Sequence, residues 1–220
     1  VVIAYDCRIN SKSLSRQVAE VFSANGIQVH LFSELRPTPE LSFAVKHLNA
    51  QCGIVLTASH NPPEYNGYKV YWEDGGQIVP PHDNQIINQI NKTEFSDINF
   101  TPNEELITLI DREIDEAFFN VSIELGKFEI KNRENYKVVF TSLHGTSITA
   151  VPQVLEKAGY SQVYLVKEQS KPDGNFPTVK SPIALPFPQG SSPCHAAGTR
   201  GGSRYNFLRR DHRIDRLQLR

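Results

Sequence analysis

The chain of 220 residues contains no apolar run approaching the ~20 residues that cross a bilayer, and no signal-peptide pattern opens it. A membrane partner is therefore not expected, and the cytoplasm is the expected location. Charge of one sign is also missing: the net charge is −1, which argues against a chain that binds nucleic acid or an anionic membrane surface as a whole. Cysteine is scarce. Cys7, Cys52 and Cys194 are odd in number and lack metal or redox spacing, so they read as free thiols in a reducing compartment. No repeat, heptad or low-complexity tract precedes residue 183, and no feature sets an oligomeric state.

What is present is ordinary for a soluble globular protein: 39% apolar and 21% charged residues. The length allows one or two domains, each with its own core. The chain opens abruptly on the strand-like run Val1 to Tyr5, so residues that precede that strand in the intact domain are expected to be missing. A helix with Leu14, Val18, Val21 and Phe22 on one face follows, with cap candidates at Ser11 to Ser13 and a stop near Gly26. Ile27 to Phe32 reads as a second strand, and Pro39-Glu40 starts a helix with Leu41, Val45 and Leu48 on its buried stripe. Cys52-Gly53-Ile54-Val55-Leu56 is a third, buried strand. Strand, helix, strand, helix, strand is the order of a parallel α/β sheet with right-handed crossovers.

Further on, Glu73-Asp74-Gly75-Gly76 reads as a hairpin turn, and Ile86, Ile87 and Ile90 have helical spacing. Glu104 to Phe119 reads as one amphipathic helix using Leu106, Ile110, Ile114 and Phe118. Trp72 and the tyrosines around it read as core. A charged linker at 131 to 135 leads to Lys137 to Phe140, the start of a second α/β unit. Its strand turns through Leu143-His144-Gly145-Thr146-Ser147 into a helix around Val151, Leu155 and Ala158, and Val163 to Val166 is the next strand. The expected domains are 1–131, 132–182 as the start of a second unit, and 183–220 as an atypical tail. That tail holds seven arginines, no lysine and two acids, shows no strand or helix periodicity, and reads as disordered or out of frame.

The most informative stretch is Thr57-Ala58-Ser59-His60-Asn61-Pro62-Pro63-Glu64-Tyr65-Asn66-Gly67-Tyr68-Lys69. Ser59 falls just past the carboxyl end of a buried strand, where open α/β sheets place ligand sites. Asn61-Pro62-Pro63 forbids helix and stiffens the loop. Asn66-Gly67 then turns the chain into a β-like run that carries Lys69 back toward Ser59. A hydroxyl, an imidazole and an ammonium group on one stiff loop can handle a phosphoryl group.

The run TASHNPPEYNGYKVYWEDGGQIV resembles the catalytic loop of the α-D-phosphohexomutase superfamily, the phosphoglucomutases, phosphomannomutases and phosphopentomutases. Val138 to Pro182, with SLHGTS and PDGNFPTVKSP, is similar to the opening of that superfamily's second domain. The resemblance implies three-layer αβα domains with a mixed, mostly parallel sheet, and an intramolecular phosphotransferase. Such an enzyme interconverts 1-phospho and 6-phospho (or 5-phospho) sugars through a phosphoserine and a bisphosphate intermediate. On it, Ser59 is the phosphoryl carrier, Lys69 the acid/base or electrostatic partner, and His60 orients the phosphoryl group or exchanges protons, or else packs in the loop. Arg8, in Asp6-Cys7-Arg8, would hold a phosphate; Asp6 would orient the loop, and Asn61 would fix the turn through its side-chain amide beside the substrate. His144 is expected to be structural.

The resemblance further implies Mg²⁺ bound through phosphoserine 59 and a glucose 1,6-bisphosphate-type activator. The family's metal loop, Asp-x-Asp-x-Asp-Arg, has a partial echo in Asp211 and Asp215, with Arg213 at the middle acid; chance explains the pair equally well. The pattern departs from the family after Pro182, and the sugar-recognition and phosphate-clamp domains are expected beyond residue 220. The chain is thus expected to be an incomplete, inactive fragment of a mutase. The alternative from another class is a catalytically inactive α/β binding module that keeps the loop. A nucleic-acid role for the arginine-rich tail is disfavoured, because it has few aromatic stacking partners, Tyr205 and Phe207 among them, and no recognition fold is visible.

Overall fold

A computed structural model of the chain describes residues 1–126 and 130–179, together with the backbone of Asn206–Leu208. Residues 1–110 supply five strands: β1 (Val2–Tyr5), β2 (Val29–Phe32), β3 (Cys52–Leu56), β4 (Tyr68–Trp72) and β5 (Ile107–Ile110). They form one sheet in the order β4-β3-β1-β2-β5. β1, β2, β3 and β5 run parallel, and β4 pairs antiparallel to β3 at one edge. The sheet is mixed and mostly parallel, so the class is α/β.

Alternation along the strands explains the layers. Side chains of successive strand residues point to opposite faces. Val2, Ala4, Phe32 and Val55 pack under helix α2 (Thr38–His47) with Leu41, Ala44 and Val45. Ile3, Tyr5, Val29, Leu31, Ile54 and Leu56 face helix α1 (Ser11–Ala24) through Ala19. One helix therefore covers each face of the sheet.

The buried line of α1 is not the apolar one that its periodicity suggests. Ser11, Ser15, Ala19 and Ser23 are buried, whereas Leu14, Val18 and Phe22 pack beside them, partly covered. Small residues every fourth position let the helix backbone approach the sheet. The hydroxyls of Ser15 and Ser23 are satisfied within the helix by Lys12 O at 2.8 Å and Glu20 O at 2.9 Å.

The expected helix over 104–119 splits. Glu104–Leu106 is a 3-10 turn, Ile107–Ile110 is β5, and the helix α4 spans Arg112–Leu125. The reason is tertiary: β2 has an open edge, and Val29↔Ile107 through Phe32↔Ile110 fill it. A β-branched run satisfies that ladder better than it fills a helical turn. Trp72 is also not core. It is 39% exposed and its ring stacks on His82, centroids 5.7 Å apart, at the start of helix α3 (His82–Ile90).

A second sheet has the order β7-β6-β8, all parallel, from β6 (Lys137–Phe140), β7 (Gln162–Leu165) and β8 (Asn206–Leu208). Helix α5 (Val151–Lys157) joins β6 to β7, and a short α6 (Lys167–Ser170) follows. β8 lies in the stretch expected to carry no strand; pairing to the edge of β6 runs through backbone groups and needs no side-chain periodicity. Helix α4 lies between the sheets, sending Ile114 into the α2 core while Lys157 Nζ on α5 meets Glu116 Oε2 at 2.8 Å. Among the described residues no helix is long and apolar enough to cross a membrane, and Cys7 and Cys52 are free.

Between α2 and α4, Arg36 pairs with Asp115 at 2.7 Å and lies 3.7 Å from Glu40. Glu40 is fully buried and no hydrogen bond reaches either of its oxygens. Burial pushes its carboxyl well above the usual carboxylate range; Asp115 adds to this, and Arg36 opposes it. The folded chain then holds a proton that the unfolded chain releases above 4.5, so this group lowers stability as pH rises. Glu40→Gln removes that slope. Its melting temperature is expected to exceed that of the unsubstituted chain at about pH 8 and to match it near about pH 5. Parallel slopes for the two proteins would exclude a buried neutral Glu40.

Candidate active site

β1 and β3 end side by side, with Ala4↔Val55 and Tyr5↔Leu56 in register. The segments that leave them, Asp6-Cys7-Arg8 and Thr57-Ala58-Ser59, therefore begin as neighbours. Asp6 ties them together. Its Oδ2 accepts from Thr57 Oγ1 at 2.6 Å, and its Oδ1 accepts from Ser11 Oγ and from the Arg8 N–H, both at 2.9 Å. The orienting role expected of Asp6 rests on these contacts.

Ser59 sits in the left-handed region, φ 56°, with its N–H donating to Thr57 Oγ1 at 3.0 Å. A non-glycine residue there costs about 1 to 3 kcal/mol and is retained where the surroundings over-determine it. The surroundings here are Arg8. Its side chain is fully buried, and its two Nη atoms donate to four loop carbonyls: Pro62 at 2.8 Å, Tyr65 at 3.0 Å, Ser59 at 3.0 Å and Asn61 at 2.7 Å. Its Nε faces Asp6 Oδ2 at 3.3 Å. Both Nη atoms are thus spent on loop carbonyls, while the buried Nε makes no hydrogen bond and has only the ion-pair proximity to Asp6. Where a phosphate-holding role was expected of Arg8, the structure shows its two Nη atoms clamping the carbonyls of the Ser59 loop.

The loop's return is equally constrained. Thr57 N–H donates to Gly67 O at 3.0 Å, and a Cβ on Gly67 would meet Thr57 O at 2.6 Å, so only glycine fits. The Asn66 amide donates to Ser11 Oγ at 2.9 Å. Val55↔Lys69 pairing on β4 then places Lys69 opposite the strand that leads to Ser59. Its Nζ donates to Ser59 Oγ at 2.6 Å. Ser59 and Lys69, ten residues apart in sequence, are in direct contact.

His60 is the exposed neighbour of Ser59, and Asn61 is exposed beside it. The turn is closed by Asn61's backbone, N–H to Ala58 O at 3.0 Å, instead of by its side-chain amide. His144 lies away from this loop. It is buried, with Nδ1 3.0 Å from Lys171 O and Nε2 2.9 Å from Thr178 Oγ1, which is the structural role expected of it. Burial pushes the Cys7 thiol up to about 11, which makes it a poor nucleophile although it adjoins Arg8.

Asp211 and Asp215 lie outside the described residues. Among the described residues no group of three His, Cys, Asp or Glu could hold a metal ion, and the cation beside Ser59 Oγ is Lys69. These residues alone do not make a Mg²⁺ site. A contact that the sequence did not announce comes from the second sheet's side: Gly174 packs on Cys7 to Ile9, and the Phe176 ring lies 5.6 Å from the Arg8 guanidinium. The Asp173-Gly174 turn was the local sign of it.

Parallel strands ending in a strained serine loop, with an ammonium group on the hydroxyl, define an α/β protein whose candidate site lies at the carboxyl ends of its strands. Family models agree: "Phosphoglucomutase/phosphomannomutase, alpha/beta/alpha domain I" matches residues 1–97, and domain II of the same family matches residues 116–195. The chain belongs to the phosphoglucomutase/phosphomannomutase family of the α-D-phosphohexomutase superfamily. It is 40% identical over 198 residues to a phosphoglucomutase of Staphylococcus saprophyticus, covering 81% of this chain and 33% of the relative. It is 38% identical over 185 residues to a probable phosphomannomutase of Haemophilus influenzae, covering 83% and 38%. A putative phosphomannomutase from Thermus thermophilus superposes with a TM-score of 0.65 at 25% identity, covering 81% of this chain and 39% of that one. The chain spans about a third of the length of the curated relatives it matches.

Proposed function

We propose that this chain carries the phosphoserine part of a sugar-phosphate mutase, an isomerase acting by intramolecular phosphoryl transfer. The protein it belongs to would interconvert 1-phospho and 6-phospho (or 5-phospho) sugars through a bisphosphate intermediate. The contact between Lys69 Nζ and Ser59 Oγ at 2.6 Å carries this reading. Phosphoryl transfer asks the protein mainly for positioning and charge stabilisation. Arg8 fixes the backbone that presents Ser59, and the Lys69 ammonium neutralises charge at the oxygen that gains phosphorus. In the half-reaction, the bond from phosphorus to a sugar oxygen breaks as the bond to Ser59 Oγ forms. The serine proton ends on the departing sugar oxygen. His60 and the Asn61 amide flank the transfer position and are the groups proposed to meet the phosphoryl oxygens.

The wider reading follows the family. It comprises a small sugar phosphate as substrate, a bisphosphate sugar as activator, Mg²⁺ at phosphoserine 59, a cytoplasmic setting, and a boundary between two α/β units near residue 131. No step is assigned to the metal, because among the described residues no group of three His, Cys, Asp or Glu could hold it.

The test is intact-mass analysis of the chain after incubation with glucose 1,6-bisphosphate. One phosphate on Ser59 is expected, a single loading step that does not require the mutase turnover the fragment is expected to lack. A folded chain that gains none would overturn the reading and leave a binding module that merely keeps the loop. Lys69→Met keeps the side chain's bulk and removes its charge, and is expected to slow that uptake by about 10² to 10³. Uptake at the unsubstituted rate would remove Lys69 from the mechanism.

A further inference from the structure

Arg8 holds the Ser59 loop, and something must hold Arg8. Its guanidinium carbon lies 5.6 Å from the centroid of the Phe176 ring, which is itself buried. A cation over an aromatic face is attracted by the ring quadrupole, more strongly where water is excluded. Phe176 is in the left-handed region, φ 49°, held there by its N–H to Asp173 O at 3.2 Å and by Val179 N–H to its own carbonyl at 2.9 Å. Such an outlier in a bulky residue points toward function.

The segment that bears Phe176 is braced from both sides. Behind it, His144 takes Lys171 O and Thr178 Oγ1 on its two ring nitrogens, and its backbone carbonyl accepts from Asp173 N–H at 3.1 Å. The buried Gln169 side chain accepts from Thr141 Oγ1 at 2.7 Å and donates to Thr178 Oγ1 at 3.1 Å. In front, a Cβ on Gly174 would lie 2.7 Å from Ile9 N and 2.8 Å from Cys7 O, so glycine alone permits the segment to reach the backbone around Arg8. The Cys7 thiol points at Asp173 O, 4.0 Å away.

We infer that Phe176 is a positioning residue for phosphoryl transfer: it presses the Arg8 guanidinium into its four-carbonyl grip and so makes the Ser59 loop's conformation depend on residues 173–176. The inference rests on Ser59 being the phosphoryl carrier, but the mechanical coupling can be read without that chemistry. Residues 173–176 follow the second sheet's helix α6, while the loop belongs to the first sheet. The order of the serine loop is therefore shared between the two α/β units.

The test uses the full chain with Phe176→Leu, which keeps apolar volume and loses the ring face, and Phe176→Tyr, which keeps the ring. Two quantities are read: hydrogen exchange of amides between Ser59 and Gly67, and the rate of phosphate uptake from glucose 1,6-bisphosphate. Phe176→Leu is expected to speed loop exchange roughly tenfold and to slow uptake by a similar factor, with Phe176→Tyr restoring both. Unchanged loop exchange in Phe176→Leu would overturn the inference. So would a loosening spread evenly over both sheets, because that is plain destabilisation. If the unsubstituted chain takes up no phosphate, the mutase reading fails, and loop exchange alone decides the coupling.

Discussion

Ser59→Ala is expected to abolish phosphate uptake from glucose 1,6-bisphosphate while leaving the melting temperature within about 2 °C. The two halves of that expectation have separate causes. Uptake is lost because Oγ is the atom that would receive phosphorus, and Lys69 Nζ at 2.6 Å is aimed at it. Stability is kept because Arg8 grips the Ser59 carbonyl, not the hydroxyl. Alanine meets the same left-handed backbone cost as serine at φ 56°, and the loop is exposed enough that no core cavity opens. Intact mass with peptide mapping and a thermal melt measure both. A phosphate that appears at the same rate on another residue would remove Ser59 as carrier; a large drop in melting temperature would mean that its hydroxyl is structural.

Arg8→Lys is expected to cost about 3 kcal/mol or more, as does breaking a buried pair when one partner loses its geometry. Lysine offers three donors from one point on a flexible stem, whereas the native fork reaches carbonyls of Ser59, Asn61, Pro62 and Tyr65 at 2.7 to 3.0 Å. Some of those carbonyls would turn to water, and Asp6 would keep its bonds to Thr57 and Ser11 but lose the guanidinium beside it. The loop should open locally as well as lower the global stability. A urea titration reads the global loss, and limited proteolysis between Ser59 and Gly67 reads the local one. An unchanged midpoint with a protease-resistant loop would mean that the fork is not what holds Ser59 in place.

Much of the first unit was legible because its signals are local. The run from Cys52 to Leu56 is apolar and turn-bounded, and it is β3. Asn66-Gly67 marks the return that brings Lys69 to Ser59, and register on β4 completes it. Three features were not legible. β5 has a residue pattern that also fits a helix, and only the open edge of β2 selects strand. The buried line of α1 is serine and alanine, which no hydrophobic pattern reports. Arg8 reads as a phosphate ligand by residue type, because guanidinium suits both phosphate and carbonyl; its carbonyl partners are 51 to 57 residues away.

By itself the sequence determined the α/β class, the placement of a serine at a strand's carboxyl end, and the return of a lysine to it. These depend on period-2 apolar runs and on proline, asparagine and glycine turns, whose conformational limits act within a few residues. Only the tertiary structure decided what Arg8 does, where Phe176 sits, and that Glu40 is buried beside Asp115. Each of these is a contact between segments far apart in the chain. Its energy depends on which donors, charges and ring faces remain unpartnered once the sheets have packed, and that quantity does not exist until the chain has folded.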